Sequence, residues 1–574
     1  MSMHLLLTVL AVGVGAQEVY ITKTGGSARP HCTAPIDSPS YFFQPFSFTL
    51  NETVRYATSV PSLTTTRKYG PAPTDALKHF TTRLSTTTWG SWLPGHTAVA
   101  ASDTADPYGQ AAWSSMWLSA DLQNYTTTGI YSTTVSPTPV PRKELVLPPA
   151  DYFSPTDCYD FPKDFVFGVA GSAAQIEGAV GLEGRSPSLL EKLIADDPMG
   201  VEYYSFTIPW TRILPFALPG TPVNKQAIDH YNDLIDTVLD AGMQPVVTML
   251  HFDSPLLFFA GDNITRHPDI GFNNAGYQNE TFVDAFVNYG KVLLTHFADR
   301  VPIWITFNEP LLYSFNFQGV DNVVHAHSRI YHFYHDELKG SGKIGIKFND
   351  NFGVPKDPKN ASHVAAANRF QELQLGFFAN PIFLGKHLHE EYVGFLRHRP
   401  LHCDSRIPAD GGVDACASNT STANSLFPYC VKQETTNRYG WNIGYRSDSY
   451  VYITPTYLRE YLFDIYNTWR HPVFVSEFGF PVYSEATKDL PDQLFDSPRS
   501  IYYLSFMSEI LKSIYEDGVH VMGALAWSFV DNWEFGDYAQ QFGIQAVNRT
   551  TQQRHYKKSF FDLVDFVKTR QPKQ

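Results

Sequence analysis

Basic residues are in short supply: 43 Lys and Arg face 57 Asp and Glu, a formal net charge of −14 over 574 residues. A chain without a basic surface cannot hold a phosphate backbone, which excludes a nucleic-acid partner. Cysteine is scarcer, at five positions: Cys32, Cys158, Cys403, Cys416 and Cys430. No CxxC and no paired-His spacing accompanies them, so the sequence carries no signature of a metal site. Past the N-terminal dozen apolar residues, no run approaches the roughly 20 that a membrane span needs, so no membrane partner is expected. No GxGxxG follows the first strand-like segment, so a dinucleotide-binding open sheet lacks its fingerprint. None of these features implies a cofactor.

What is abundant points elsewhere. With 42 Phe, 32 Tyr and 10 Trp, the chain can build a large core and an aromatic cleft of the kind that faces sugars. Its opening, MSMHLLLTVLAVGVGAQE, has an apolar run from Leu5 to Ala16 that ends in small residues. This reads as a secretory signal over residues 1–16, and it implies an extracellular protein. Seven N-x-S/T sequons, at Asn51, Asn124, Asn263, Asn279, Asn360, Asn419 and Asn548, suit that route. In an oxidising compartment the cysteines suit two disulfides and one odd thiol, with one local bridge among Cys403, Cys416 and Cys430.

Residues 17–135 are rich in Thr, Ser and Pro and read as an accessory region with β-type content. Trp89, Trp92, Trp113 and Trp117 there suit a small packed core better than a sugar platform. Residues 136–160, with the stretch SPTPVPRKELVLPPADYFSP, read as a linker. From Phe161 to the end at 574 the pattern changes: short apolar runs alternate with amphipathic stretches. The strand candidates are 165–170, 204–208, 245–250, 303–307, 344–348, 473–478 and 521–527. Between them, Ile228, Tyr231, Leu234, Ile235, Val238 and Leu239 share one helical face, as do Phe282, Phe286, Tyr289, Leu293 and Phe297. Seven or eight strand–helix units over some 400 residues predict an α/β fold, a (β/α)8 barrel with long loops.

A barrel carries its chemistry at the carboxyl ends of its strands. Here those ends hold Gln175, Trp210 and Arg212, His251, Asn308-Glu309, Asn349, Glu477 and Trp527. Two carboxyl groups across such a mouth suit glycoside hydrolysis: one protonates the leaving oxygen, and the other attacks the sugar carbon or activates water. Asn308 would donate to a sugar 2-hydroxyl, and Pro310 would end the strand by removing a backbone donor.

The segments TFNEP and SEFG, with QIEGA, PWTRILP, LHFDSP, QLGFFANPIFLG and AWSFVDNWEF in order, resemble glycoside hydrolase family 1, the β-glucosidase family. The resemblance runs from about Phe161 to Lys568. It implies a retaining β-glycosidase acting on terminal β-D-glucosyl residues, with Glu309 as acid/base and Glu477 as nucleophile. Gln175, His251, Asn308, Trp527 and Glu534 would grip the hydroxyls of the non-reducing sugar. The match also has gaps. The first crossover is short, the stretch 400–450 replaces a tyrosine-bearing segment, and the family's YRFS reads Tyr204-Ser205-Phe206-Thr207. The arginine missing at Ser205 normally lies against the nucleophile, so its loss is expected to raise the Glu477 pKa and loosen that side chain. Arg212 matches a different family arginine and is no substitute. Two alternatives follow: a weakened sugar-binding protein on the same barrel, or a transglycosidase sharing the covalent intermediate.

Overall fold

The computed structural model describes residues 157–176, 201–258, 276–278, 280–314, 317–349, 351–385, 431–436, 442–534, 538–548 and 553–571, with 36–44 and nine positions between 88 and 115. The signal segment, most of the accessory region, the short first crossover and four of the five cysteines lie outside the described residues. So do the sequons other than Asn360 and Asn548.

Seven strands form one parallel sheet: β1 (Val166–Ala170), β2 (Tyr203–Thr207), β3 (Gln244–Leu250), β4 (Ile303–Asn308), β5 (Lys343–Lys347), β6 (Val473–Phe478) and β7 (Val521–Trp527). Their order, β6-β7-β1-β2-β3-β4-β5, is that of a (β/α)8 barrel opened at one place. Among the described residues no strand bridges β5 to β6. The described residues of that stretch contribute a two-residue antiparallel pair, Tyr445–Arg446 with Tyr452–Ile453, and an isolated bridge between Thr436 and Asn442.

The strands form because both of their faces are buried, which selects near-continuous apolar runs. Alternate residues serve different cores. Val166, Ala170, Val246, Ile303, Ile305, Leu525 and Trp527 cluster inside the barrel. Phe167, Val169, Tyr204, Phe206, Val247, Met249, Trp304 and Phe307 pack outward against the helices. Helix α1 (Lys225–Asp240) buries Ile228, Tyr231, Leu234, Ile235 and Val238, and the Asn224 side chain caps it by accepting from the Gln226 and Ala227 amides. Helix α2 (Glu280–Phe297) buries Phe282, Phe286, Tyr289, Leu293 and Phe297. The outer ring continues with α3 (Phe317–His332), α4 (Ala361–Gln371), α5 (Pro455–Trp469), α6 (Ser497–Tyr515) and α7 (Lys558–Lys568).

The N-terminal region touches the barrel at both ends. Thr88–Trp89 pairs in parallel with Val223–Asn224, beside the mouth. Ile36 bridges Tyr159, and residues 41–44 lie against the barrel floor. Cys158 is disulfide-bonded, to a cysteine outside the described residues. Asn360 is an exposed helix cap, whereas Asn548 is 5 % exposed, too buried to carry a glycan in the folded chain.

Candidate active site

Strand β4 ends on Asn308, and the chain then turns sharply. Glu309 adopts a left-handed conformation, φ 49° and ψ 53°, ahead of a 3-10 turn that begins at Pro310. Such a conformation is costly for a residue with a Cβ and is kept where surrounding contacts impose it. Here one tie is the Glu309 amide, which donates to the Lys347 carbonyl at 2.8 Å. The turn leaves the Glu309 carboxyl in the cavity while Asn308 stays 1 % exposed beneath it. Glu477 comes from the far edge of the sheet, on β6. Two residues on, a Cβ at Gly479 would stand 1.9 Å from the Trp527 carbonyl. The glycine therefore lets the end of β6 close onto β7 and brings Glu477 beside Trp527.

A cavity of about 1910 Å³ is lined by Gln175, His251, Glu309, Glu477, Trp527 and Glu534, and it continues along β5. The structure thus brings Gln175, His251, Glu309, Glu477, Trp527 and Glu534 to one cavity, with Asn308 just below. Gln175 donates from Nε2 to Glu534 Oε2 at 2.8 Å and to the Trp533 carbonyl at 3.1 Å. The His251 ring stacks 5.9 Å from that of Trp527. Both side-chain polar atoms of Asn308, and Oε1 of Gln175, are buried without a partner. Buried polar groups left open in this way suit a hydroxyl-rich ligand.

The electrostatics separate the carboxyl groups. Burial, then the charge of Glu477, pushes Glu309 up to about 7, against the opposing pull of Lys347 and a hydrogen bond from Asn349. Burial, Glu477 and Glu309 push Glu534 up to about 8, although Gln175 pulls the other way. His251 falls well below the ordinary histidine range through burial and the nearby Lys347, so its ring is neutral.

Two residues of this site were not assigned from the sequence. Lys347, the last residue of β5, forms an ion pair with Glu477. The expected lack of a cation at Glu477 is therefore corrected: β2 offers only Ser205, and β5 supplies an ammonium group instead. Tyr450 lines the cavity at its rim, with 68 % of its surface exposed. Tyr445 turns away, 55 % exposed, with its ring 6.2 Å from that of Phe480. Two strand-end residues do not reach the site. Trp210 is fully buried in the outer core, stacked 5.3 Å from Tyr289. Arg212 lies 5.5 Å over the Tyr231 ring of α1, away from Glu477. Trp533 is 38 % exposed, and Phe535 lies outside the described residues.

The sequence model for glycosyl hydrolase family 1 matches residues 191–318 and 313–572. Beta-glucosidase 34 of Oryza sativa subsp. japonica is 30% identical over 489 residues, 70% of this chain and 90% of the relative. Beta-glucosidase 1B of Phanerodontia chrysosporium is 28% identical over 472 residues, 69% of this chain and 84% of the relative. Among solved structures, the beta-glucosidase from Trichoderma harzianum superposes with a TM-score of 0.61 at 28% identity, covering 72% of this chain and 98% of its own. A beta-glucosidase of the fungus Humicola insolens, solved in complex with glucose, gives 0.60 at 25% identity, over 71% of this chain and 98% of that one.

Proposed function

Because the chain belongs to glycosyl hydrolase family 1, we propose that it is a secreted β-glucosidase that releases terminal β-D-glucosyl residues with retention. Glu309 is the acid/base and Glu477 the nucleophile. The observation that carries this reading is the unequal environment of the two carboxyls. Glu309 is raised to about 7 by burial and by Glu477, while Glu477 is paired with an ammonium group. One is suited to hold a proton and the other to lack one.

In the first step a Glu477 oxygen attacks the anomeric carbon as the bond to the aglycone oxygen breaks, and Glu309 gives its proton to that oxygen. In the second, Glu309, now a carboxylate, takes a proton from water; the water oxygen bonds to the anomeric carbon and Glu477 departs as carboxylate. Asn308, Gln175, His251, Glu534 and Trp527 grip the glucose. The open polar atoms of Asn308 and Gln175 support that role. A protonated Glu534 can donate to one hydroxyl while still accepting from Gln175. Secretion is supported by the apolar opening, Leu5 to Ala16, and by the disulfide at Cys158.

The test is incubation with an activated 2-deoxy-2-fluoro-β-glucoside and measurement of intact mass. A gain of one sugar on Glu477, absent in Glu477→Gln, is expected. Glucose binding without any mass gain would replace the enzyme with a sugar-binding protein.

A further inference from the structure

We propose that Lys347 is a positioning residue for Glu477, its ammonium group holding the carboxylate ionised and aimed at the anomeric carbon. The proposal rests on the assignment of Glu477 as nucleophile. It starts from the strand itself. In β5, Lys-Ile-Gly-Ile-Lys, Ile344 and Ile346 pack on the outer core, which turns Lys343, Gly345 and Lys347 to the barrel interior. Among the described residues no other strand offers a lysine to the cavity beside the carboxyl groups. Gly345 adds no bulk, since a Cβ there would meet nothing nearer than 4.0 Å.

A lysine side chain only 9 % exposed is costly to bury unless its ammonium group is paired. Its partner is Glu477, with the Trp527 ring 6.0 Å away. The titratable groups that feel its charge besides Glu477 are Glu309 and His251, while Glu534 and Tyr450 line the same cavity. Burial and neighbouring charge push Glu309 up to about 7 and Glu534 up to about 8, so both are neutral below those values, and His251 is neutral. One cation and one carboxylate thus balance the cavity. The same residue also accepts the Glu309 amide on its carbonyl at 2.8 Å. The end of β5 therefore fixes both carboxyls, one through the backbone and one through the side chain. In the second step the cation favours departure of Glu477, because breaking the ester regenerates the charge that Lys347 pairs.

The experiment reads the rate of 2-deoxy-2-fluoro-β-glucoside labelling against pH. An activated leaving group needs little help from Glu309, so the acid limb reports ionisation of the nucleophile. In Lys347→Met that limb should move up by about 1–2 pH units relative to the native protein, with labelling on its acid side falling about tenfold or more. Lys347→Arg should return it toward the native position. A packing role alone would lower the rate without moving the limb, and an unmoved limb in Lys347→Met overturns the proposal. Should Lys347→Met fail to fold, Lys347→Gln carries the same test, and an unmoved limb there overturns the proposal equally. Native protein that labels elsewhere than Glu477, or not at all, removes the nucleophile assignment itself and this proposal with it.

Discussion

Glu534 and Glu309 are carboxyl groups that the fold keeps protonated, and that property has a thermodynamic consequence. Glu534 holds its proton to about 8 in the folded chain, through burial and the charges of Glu477 and Glu309; in the unfolded chain it loses it near 4.5. The folded state therefore binds more protons between those values, and stability falls as pH rises from one to the other. Below the lower value both states are protonated and nothing is lost. Glu534→Gln, which cannot ionise and keeps an oxygen for Gln175, should melt like the native protein at pH 4. At pH 8 it should be more stable, by on the order of 1–3 kcal/mol. Thermal melts at the two pH values check this, and an equal change at both would contradict the titration account.

The elements that hold these residues are braced from behind by a buried ionic cluster. Arg499 on α6 pairs with Glu485 and Asp496, and Lys557 pairs with Glu485 at 3.1 Å and Asp531 at 2.8 Å. Arg499 also donates from Nε to the Phe480 carbonyl at 2.8 Å, three residues past Glu477. Removing it leaves three buried carboxyl groups, each no more than 2 % exposed, with one cation. Arg499→Met should cost about 3–5 kcal/mol in a denaturant titration and should lower activity with it. Lys225→Ala, at an exposed pair with Asp229 (62% and 56% exposed), should change stability by less than about 0.5 kcal/mol. The strands behind this bracing were legible because parallel strands buried on two faces leave unbroken apolar runs. The seven observed strands begin and end within one residue of the runs expected. Lys347 was hidden by the same run, since a lysine closing IGIKF reads as a strand flank until the alternation with Lys343 and Gly345 is followed. Trp210 misled in the opposite sense: a strand-end position suggested the mouth, but its ring belongs to the outer core. Between β5 and β6 no unbroken run exists to be read, and the described residues there pair only as the two-residue strands and the isolated bridge.

For the molecule as a whole, the relatives account for about 70% of the chain, and the segment at 36–44 precedes the family match. That segment is nevertheless fastened to the barrel. Tyr41 stacks 4.2 Å from His520, Phe43 lies 4.6 Å from Tyr466 and under the Arg470 guanidinium, and the Gln44 amide donates to Asn467 Oδ1 at 2.7 Å. His520 precedes β7, and Arg470 follows α5 just before β6, so these contacts lie at the amino ends of the strands. Glu309 and Glu477 stand at the other end. A latch on the floor should therefore stabilise the barrel without touching its chemistry. Replacing Tyr41 and Phe43 together by Ala should remove about 2 kcal/mol and lower the melting temperature. The kcat/KM for an aryl β-glucoside at a temperature where both proteins are folded should stay within about twofold. A large fall in kcat/KM without loss of stability would mean that the N-terminal segment acts on the mouth through the barrel, and the latch account would have to be given up.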